Sequence, residues 1–424
     1  MDVYAYSKKR QIFYQGIERF WHDLYGEEYA LYDIKAVNTD EIADIRLAGD
    51  RIGHIFFKVC KLLRKVSDET LAEMGFPTES FPVLRQKTLS TESVISRLDL
   101  IPVGDGYKCI EINADTPTFI KELFSVNGLM CREYKMGDPN AGMEAKLAEA
   151  VRSSVFESAR HLREPKPYIV FTAHEDHVED RETVTYLQNI SRLPSRFVPL
   201  HKLQIEEGKG LYDEYCTKID ILYRQTFPVE NLILDEDESG NPIGKWLLDL
   251  VALKKVAIIN PPSAFLLQNK AVQAVIWGLH VERHPMFTPE EHSWIESYFL
   301  PTYLEADAFK QQNLSYVKKP AFGREGDTVE IYDENGILLK ADPQQNYGQY
   351  LAVYQQYAEL PRVEFMSEKG KQAGQLLIGC FLLNGRAAAF GYRAGGKITN
   401  NLSYYLPAGI KRDSRRGELD VDFT

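Results

Sequence analysis

The stretch that decides the fold begins with Arg97-Leu98-Asp99 and resumes, after a turn, with Cys109-Ile110-Glu111-Ile112-Asn113-Ala114-Asp115-Thr116-Pro117-Thr118. Its apolar residues predict one strand over 98–101 and a second over 107–112. The segment between them, Pro102-Val103-Gly104-Asp105-Gly106, has the Gly and Asp residues of a hairpin turn. The sequence therefore predicts a β-hairpin in which the two motifs lie opposite each other.

The predicted hairpin carries oxygen ligands on one face. Side chains alternate along a strand, so Glu111 and Asn113 point the same way, with Cys109 in phase further back. Asp99 on the first strand can lie beside them, and Arg97 adds a cation next to the cluster. Two carboxylates and an amide oxygen suit Mg²⁺ that is held together with substrate phosphates. The alternative is that an E-x-N pair at a strand end is only solvated edge polarity before a turn.

The composition is typical of a globular protein without a nucleic-acid or membrane partner. The 424 residues can bury a sizeable core in roughly two or three structural units. The net charge of −11 argues against nucleic acid or an anionic membrane, and the basic run at 411–416 is too short and mixed to change this. Five scattered cysteines without a C-x-x-C pair indicate reduced thiols. Because there is no apolar signal segment and no run of about 18 apolar residues, the sequence predicts a cytoplasmic protein.

The first two thirds of the chain begin with a mainly helical pattern and continue with strands that alternate with helices. Residues 1–88 predict mainly helices, and 144–162 predicts a further helix. Short buried strands then alternate with helices over 163–264, which indicates a small doubly wound α/β unit. Such sheets bind ligands at the carboxyl ends of their strands.

One strand-end loop of this unit contains His174 and His177, but no third ligand stands at a suitable spacing, so a metal site there is disfavoured. Glu175, Asp176 and Glu179 in the same loop suit a cationic ligand. Solvated loop charge is the alternative interpretation.

A second informative stretch runs over 316–331 and is typical of a strand, a glycine-bearing loop and another strand. Gly323 and Gly326 let backbone N–H groups approach a phosphate closely. Lys319 ends the first strand and Arg324 adds charge. A lone G-x-x-G is weak evidence, but its place between two strands and after a lysine strengthens the prediction of a phosphate site.

Further elements are predicted around this stretch. Lys270 opens a helix over 271–279. A helix over 344–351, a strand over 353–357 and a hairpin over 376–393 follow the phosphate loop. Arg393 ends the hairpin beside a Gly-rich segment, which suits a clamp for a phosphate or a carboxylate.

These motifs together resemble the glutathionylspermidine synthase family. The resemblance is carried by R-L-D (97–99), E-I-N-A-D-T-P-T (111–118), Q-N-K (268–270) and K-K-P-A-F-G-R-E-G (318–326), and it runs over residues 90–405. The acidic metal strand precedes the lysines here, an order similar to that of eukaryotic glutathione synthetases, whereas it follows them in most ATP-grasp enzymes. The resemblance implies an α/β (α+β) class, with an ATP-grasp-type fold in permuted order, a small doubly wound unit and an N-terminal helical layer. It covers the synthetase module only, because the motif of the family's N-terminal cysteine amidase is missing.

The resemblance also implies a role for each matching residue. Asp99, Glu111 and Asn113 would hold two Mg²⁺ ions, and Arg97 would stabilise the charged transition state. The residues that would contact ATP are Arg97, Asp99, Lys270, Lys319, Gly323, Arg324, Glu325, Gly326, Tyr354, Gln355, Gln356, Tyr357, Ile398, Thr399 and Asn400. The residues that match substrate positions are Thr116, Thr118, Glu179, Thr226 and Arg393. Of these, Thr116, Thr226 and Arg393 match positions near the thiol-peptide substrate, and Glu179 matches a carboxylate near the polyamine. Thr116 and Thr118 replace serines of the characterised synthases.

The expected organisation has four parts: a helical layer at 1–88, the metal-binding part of the ATP-grasp core at 89–162, a substrate-side α/β unit at 163–264 and the ATP-binding part at 265–424. The expected activity is that of an ATP- and Mg²⁺-dependent carboxylate–amine ligase. It would join a thiol peptide or similar acid to a polyamine or similar amine through an acyl phosphate. Two alternatives stay open, a non-catalytic nucleotide-binding regulatory protein of the same fold and a small-molecule phosphotransferase. The sequence is compatible with a homodimer.

Overall fold

The computed structural model describes residues 2–400 and 402–411. The basic run at 411–416 lies outside these residues, apart from Lys411. Within the described ranges no helix is long and apolar enough to cross a membrane.

The described residues form a mixed α/β structure, as predicted. The α-helices are Val3–Gln15 (α1), Thr39–Leu63 (α2), Asp68–Glu73 (α3), Phe81–Leu84 (α4), Asn127–Glu133 (α5), Met143–Leu162 (α6), Val178–Ser191 (α7), Val229–Leu232 (α8), Ile243–Ala252 (α9), Ser263–Gln268 (α10), Ala271–Val281 (α11), Pro289–Tyr298 (α12) and Asp307–Gln312 (α13). The strands are Asp23–Leu24 (β1), Glu27–Glu28 (β2), Lys35–Val37 (β3), Ile95–Val103 (β4), Gly106–Asn113 (β5), Ile169–Ala173 (β6), Ser195–Phe197 (β7), Gln204–Glu206 (β8), Gly210–Tyr212 (β9), Lys218–Ile219 (β10), Ile221–Gln225 (β11), Ala257–Ile259 (β12), Thr302–Tyr303 (β13), Tyr316–Pro320 (β14), Glu330–Tyr332 (β15), Leu338–Ala341 (β16), Ala352–Gln356 (β17), Arg362–Ser367 (β18), Gly370–Leu383 (β19), Arg386–Gly395 (β20), Tyr404–Leu406 (β21) and Ala408–Ile410 (β22).

The predicted hairpin forms one side of a central antiparallel sheet. The strand order is β21-β20-β19-β4-β5, with β18 paired to β19. Asp99 pairs with Glu111 and Arg97 with Asn113, which confirms the predicted opposition of the two motifs. The pairing of β4 with β19 was not predicted, since contacts between strands so far apart in sequence leave no local pattern.

A bulge in this hairpin corrects the predicted phase of Cys109. Asp99 pairs with Glu111, but the next residue, Leu100, pairs with Cys109, so Ile110 is an extra residue on its strand. Cys109 consequently packs in the apolar cluster that contains Leu100, while Ile110 lines the cavity described below. The prediction that Cys109 shares the face of Glu111 was therefore wrong.

The N-terminal helical layer covers one face of the central sheet. The long helix α2 packs on β19 and β20. The helix lies close to these strands because it has glycines, without a Cβ, at positions 49 and 53. A Cβ on Gly53 would lie 2.8 Å from a methyl carbon of Leu382, and a Cβ on Gly49 would lie 3.0 Å from the sulfur of Cys380. Since Leu98 of β4 is buried in this layer, Arg97 and Asp99 face the opposite side.

The predicted doubly wound unit is present. The strands β12-β11-β6-β7 form a parallel sheet, and α6 and α7 pack against it. A small antiparallel sheet, β10-β9-β8, was not predicted. The carboxyl end of β6 leads into the loop that contains His174 and His177, and the carboxyl end of β11 leads into Thr226.

A five-stranded sheet, β13-β17-β14-β15-β16, contains the predicted strand–loop–strand segment. The helix predicted over 344–351 is wrong, because these residues form turns. Backbone N–H groups that a helix would use are bound elsewhere: Asn346 N donates to Asp327 Oδ1 (3.0 Å) and Tyr347 N donates to Thr328 Oγ1 (3.0 Å). This segment therefore braces the glycine-bearing loop.

Candidate active site

A single large cavity collects side chains from the central sheet, the five-stranded sheet and the α/β unit. Its empty space is about 1400 Å³ when the open mouth is included. The lining brings charged side chains, glycines and apolar side chains to one place.

Most of the predicted site residues meet in this cavity. Those that line it are Arg97, Asp99, Glu111, Asn113, Thr118, Glu179, Lys270, Lys319, Gly323, Arg324, Glu325, Gly326, Gln355, Gln356, Tyr357, Arg393, Ile398 and Thr399. Four others, Thr116, Thr226, Tyr354 and Asn400, do not belong to the lining. Thr116 and Thr226 are buried behind it, and Tyr354 packs its ring near Tyr316. The roles assigned to all these residues stay predictions.

The metal corner of the cavity holds Asp99, Glu111 and Asn113. Arg97 donates to both oxygens of Asp99, from Nε at 2.6 Å and from Nη2 at 3.0 Å. Lys270 Nζ lies 3.4 Å from Glu111 Oε2, and Asn113 Nδ2 donates to Glu111 Oε1 at 3.2 Å. The described residues contain no group of three or more His, Cys, Asp or Glu side chains suited to a metal. Two carboxylates and an amide still fit Mg²⁺, which takes its other oxygens from phosphates and water.

Burial and neighbouring cations set the charges in this corner. Burial acts to raise the pKa of Glu111, but Lys270, Lys319 and Arg97 outweigh it and lower that pKa to about 2. Burial raises the pKa of Asp99, against the effect of Arg97. Burial also lowers the pKa of Lys319 to about 8, although Glu111 acts in the opposite direction. Glu111 is therefore firmly ionised between two lysines.

The two lysines are held in place by the polar groups around them. Lys270 Nζ donates to the carbonyl oxygen of Gly323 at 2.8 Å. Lys319 Nζ donates to the carbonyl oxygen of Ile110 at 2.7 Å and to Gln355 Oε1 at 2.8 Å. Gln355 is in turn fixed by Gln273, whose Oε1 accepts from Gln355 Nε2 at 3.0 Å. Both ammonium groups are thus oriented toward the metal corner before any ligand binds.

An apolar slot next to the lysines was missed by sequence reasoning. Its side chains are Ile101, Ile110, Leu300, Val317, Ile331, Leu360 and Leu377. Five of them lie on five separate strands, and Leu300 and Leu360 lie in two separate loops, so no local pattern marks them as one site. Gln356 and Tyr357 line the same cavity.

The glycine-bearing loop covers the cavity. Arg324 Nη2 donates to the carbonyl oxygen of Thr116 at 2.6 Å and to its hydroxyl at 3.0 Å, which ties the loop to the end of the hairpin. Gly326 has φ +75°, and a Cβ there would lie 2.5 Å from Ile398 Cγ2. The loop therefore packs directly on the segment at 398–399.

The far end of the cavity is acidic. Burial, followed by Glu122 and Asp180, raises the pKa of Glu179 to about 8. His177 caps the start of α7 and lies 3.0 Å from Asp180 Oδ2, so it is part of a helix cap here. Asp180 and Phe227 also line this end and were not predicted as site residues, since nothing distinguishes them in sequence from solvated loop residues.

Comparisons with known proteins agree with this geometry. A family model described as "Glutathionylspermidine synthase preATP-grasp" matches residues 7–411. A protein of Haemophilus influenzae (strain ATCC 51907 / DSM 11121 / KW20 / Rd) named "Putative acid--amine ligase" is 25% identical over 322 residues, which span 73% of each chain. The apo structure of a glutathione synthetase-like effector from Globodera pallida has a TM-score of 0.52 and 14% identity, and covers 90% of each chain.

These comparisons confirm three predictions. The structural likeness confirms the ATP-grasp-type fold class. The enzyme class predicted from the sequence, a ligase that joins an acid to an amine, is confirmed by the family and the named relative. The chain therefore belongs to the glutathionylspermidine synthase preATP-grasp family.

Proposed function

We propose that this ligase uses ATP and Mg²⁺ to activate an acid as an acyl phosphate and then transfers the acyl group to an amine. The observation that carries the proposal is the convergence of three groups of residues on one cavity: the oxygen ligands of the hairpin, the two lysines and the acidic end at Glu179. By analogy with the family, the acid is a thiol peptide or a similar molecule and the amine is a polyamine or a similar molecule.

The cofactor assignment follows from the chemistry of the lining. Lys270 and Lys319 would bind ATP phosphates, and the apolar slot beside Tyr357 would take the adenine ring. Asp99, Glu111 and Asn113 would hold the two Mg²⁺ ions that the resemblance to the family implies. Bound Mg²⁺ neutralises the charge that spreads over the transferring phosphoryl group.

Arg97 is the residue to which we assign transition-state stabilisation. A carboxylate oxygen of the acid would attack the γ-phosphorus, and ADP would leave. The neutral amine nitrogen would then attack the acyl carbon to form a tetrahedral oxyanion, the bond to phosphate would break, and the leaving phosphate would take the proton that the nitrogen loses. Arg97 is buried, and it is oriented by Asp99 and by the carbonyl oxygen of Thr118, which accepts from Nη1 at 3.0 Å. A donor fixed in this way can stabilise developing negative charge without reorganising.

The covering loop at 321–328 would exclude water from the acyl phosphate, so that the amine rather than water is the acceptor. The acidic end of the cavity, around Glu179, would hold an ammonium group of that amine other than the nitrogen that attacks. The bound cation would in turn lower the pKa of Glu179 and favour its ionised form. A cytoplasmic location and a homodimer remain predictions from the sequence.

The test is ADP release with Mg-ATP and a panel of γ-glutamyl thiols and small peptides, each with and without polyamines. Release that requires both an acid and an amine supports the ligase. Release with the acid alone would indicate a phosphotransferase, and ATP binding without any release would indicate a regulatory protein.

A matched pair of variants tests whether the assigned cavity is responsible. Lys319→Met should abolish release, because Lys319 lines the cavity. Lys318→Met should leave release unchanged, because Lys318 Nζ instead binds Glu330 Oε2 at 3.0 Å. Equal effects of the two variants would contradict the assignment.

A further inference from the structure

The acidic end of the cavity has an exposed aromatic ring in its wall. Phe227 lines the cavity and is 53% exposed, whereas its neighbours Thr226 and Val229 are each 3% exposed. Removing an apolar ring from water is favourable, so a ligand that covers the ring of Phe227 would bind with a lower free energy.

The backbone that carries this ring is fixed by a buried ion pair. Arg224 Nη2 donates to both oxygens of Asp115, at 2.5 and 2.6 Å, and both side chains are 1% exposed. Arg224 Nη1 donates to the carbonyl oxygen of Phe227 at 3.0 Å. On the other side, Val229 N donates to Asp115 Oδ2 at 3.1 Å. The ring is thus presented from a rigid segment, as a specific contact requires.

Carboxylates line the same cavity as the ring. The centroid of the Phe227 ring lies 4.7 Å from that of the His174 ring, which begins the loop between β6 and α7. Gln225 precedes Phe227 by two residues, and its Nε2 donates a hydrogen bond to Asp180 Oδ1 at 3.4 Å. Glu179 and Asp180 line the same end of the cavity. A ligand that places a cation near the carboxylates and an apolar portion against the ring would satisfy both features.

We propose that Phe227 forms the apolar wall of the amine subsite and selects amines that carry an alkyl chain beyond the ammonium group. The ammonium group is held by the carboxylates at the start of α7, and the methylenes cover the ring. This inference rests on the proposed function, because it assigns the acidic end to the amine rather than to the acid.

The test compares Phe227→Ser with the wild type for a long and a short amine. The long amine is 1,5-diaminopentane and the short one is hydroxylamine, each with Mg-ATP and a γ-glutamyl thiol peptide. The kcat/KM for diaminopentane should fall about tenfold, because the contact between the ring and the methylenes is lost. The kcat/KM for hydroxylamine should fall much less than that for diaminopentane, because hydroxylamine has no methylenes to contact the ring.

Two further variants separate the role of the ring from general damage. Phe227→Leu keeps an apolar contact, so it should lose less activity with diaminopentane than Phe227→Ser does. Phe156→Ser is the matched control, since Phe156 is 60% exposed on α6 and does not line the cavity. Equal losses for the two amines, or no loss for either, would overturn the assignment.

Calorimetric titration of 1,5-diaminopentane into the wild type and Phe227→Ser decides the assignment without turnover. Weaker binding by the variant supports the role of Phe227 even when no acid and amine pair releases ADP, an outcome that would contradict only the proposed reaction. Equal binding, or no binding to the wild type, would overturn the assignment itself.

Discussion

Replacing Glu230 with glutamine should stabilise the protein increasingly as the pH rises. Glu230 is 1% exposed, and neither of its oxygens accepts a hydrogen bond from another residue in the described part of the chain. Burial, together with the charge of Asp115, raises its pKa from 4.5 to about 7, although Arg324 and Lys270 act in the opposite direction.

The sign of the effect follows from proton linkage. Between pH 4.5 and 7 the folded state retains a proton that the unfolded state has lost, so the free energy of unfolding falls as the pH rises. Because of this pKa difference between the two states, the free energy of unfolding falls by about 3 kcal/mol, and the fall is complete above pH 7. Glutamine does not titrate, so Glu230→Gln removes this pH-dependent cost.

The assay is urea unfolding of the wild type and Glu230→Gln at pH 5 and at pH 8. The difference in the free energy of unfolding between the two proteins should grow by about 2–3 kcal/mol over this range. Glu238→Gln is the matched control, because Glu238 is exposed in the same segment. A constant difference between Glu230→Gln and the wild type across the pH range would refute the reasoning.

Three further predictions concern the cavity. Arg97→Ala should lower the rate of ligation roughly 10²–10³-fold while calorimetry still detects ATP binding; lost ATP binding would contradict its assigned role. Asp99→Asn should raise the Mg²⁺ concentration needed for half-maximal ADP release by about tenfold, because one charged ligand is removed; an unchanged Mg²⁺ titration would exclude Asp99 as a ligand. Gly326→Ala should raise the KM for ATP, because a Cβ there meets Ile398 at 2.5 Å at φ +75°. Gly336→Ala is its control, with the same φ and no atom within 4 Å of the added carbon, and equal KM values for the two variants would contradict a role for loop packing.

Local sequence patterns predicted the elements of the fold well. The hairpin at β4–β5, the alternation at 163–264 and the strand–loop–strand at 316–331 are all set by residues close together in sequence, and all are present. The helix predicted at 344–351 failed because side chains of Asp327 and Thr328, on another segment, bind the N–H groups that a helix would need. A tertiary contact overrode a local preference there.

The candidate site was predictable where charge or glycine marks a residue, as at Asp99, Lys319 and Gly326. The place of Phe227 in the cavity could not be predicted, because the sequence does not show whether an aromatic residue after a strand will be buried by other parts of the chain. The position of Ile110 in the cavity depends on a bulge, and one extra residue in a strand reverses the faces of the residues beyond it.

The pairing of β4 with β19 has a consequence for synthesis on the ribosome. Leu98 meets Cys380, and at the edge of the molecule Lys35 of β3 meets Ala408 of β22. A nascent chain that has released only its first half therefore carries an unpaired edge at β4, open to other strands until β19 emerges. Folding of the corner around Asp99 and Glu111 must wait for almost the whole chain, so slow translation prolongs the interval in which aggregation competes with folding.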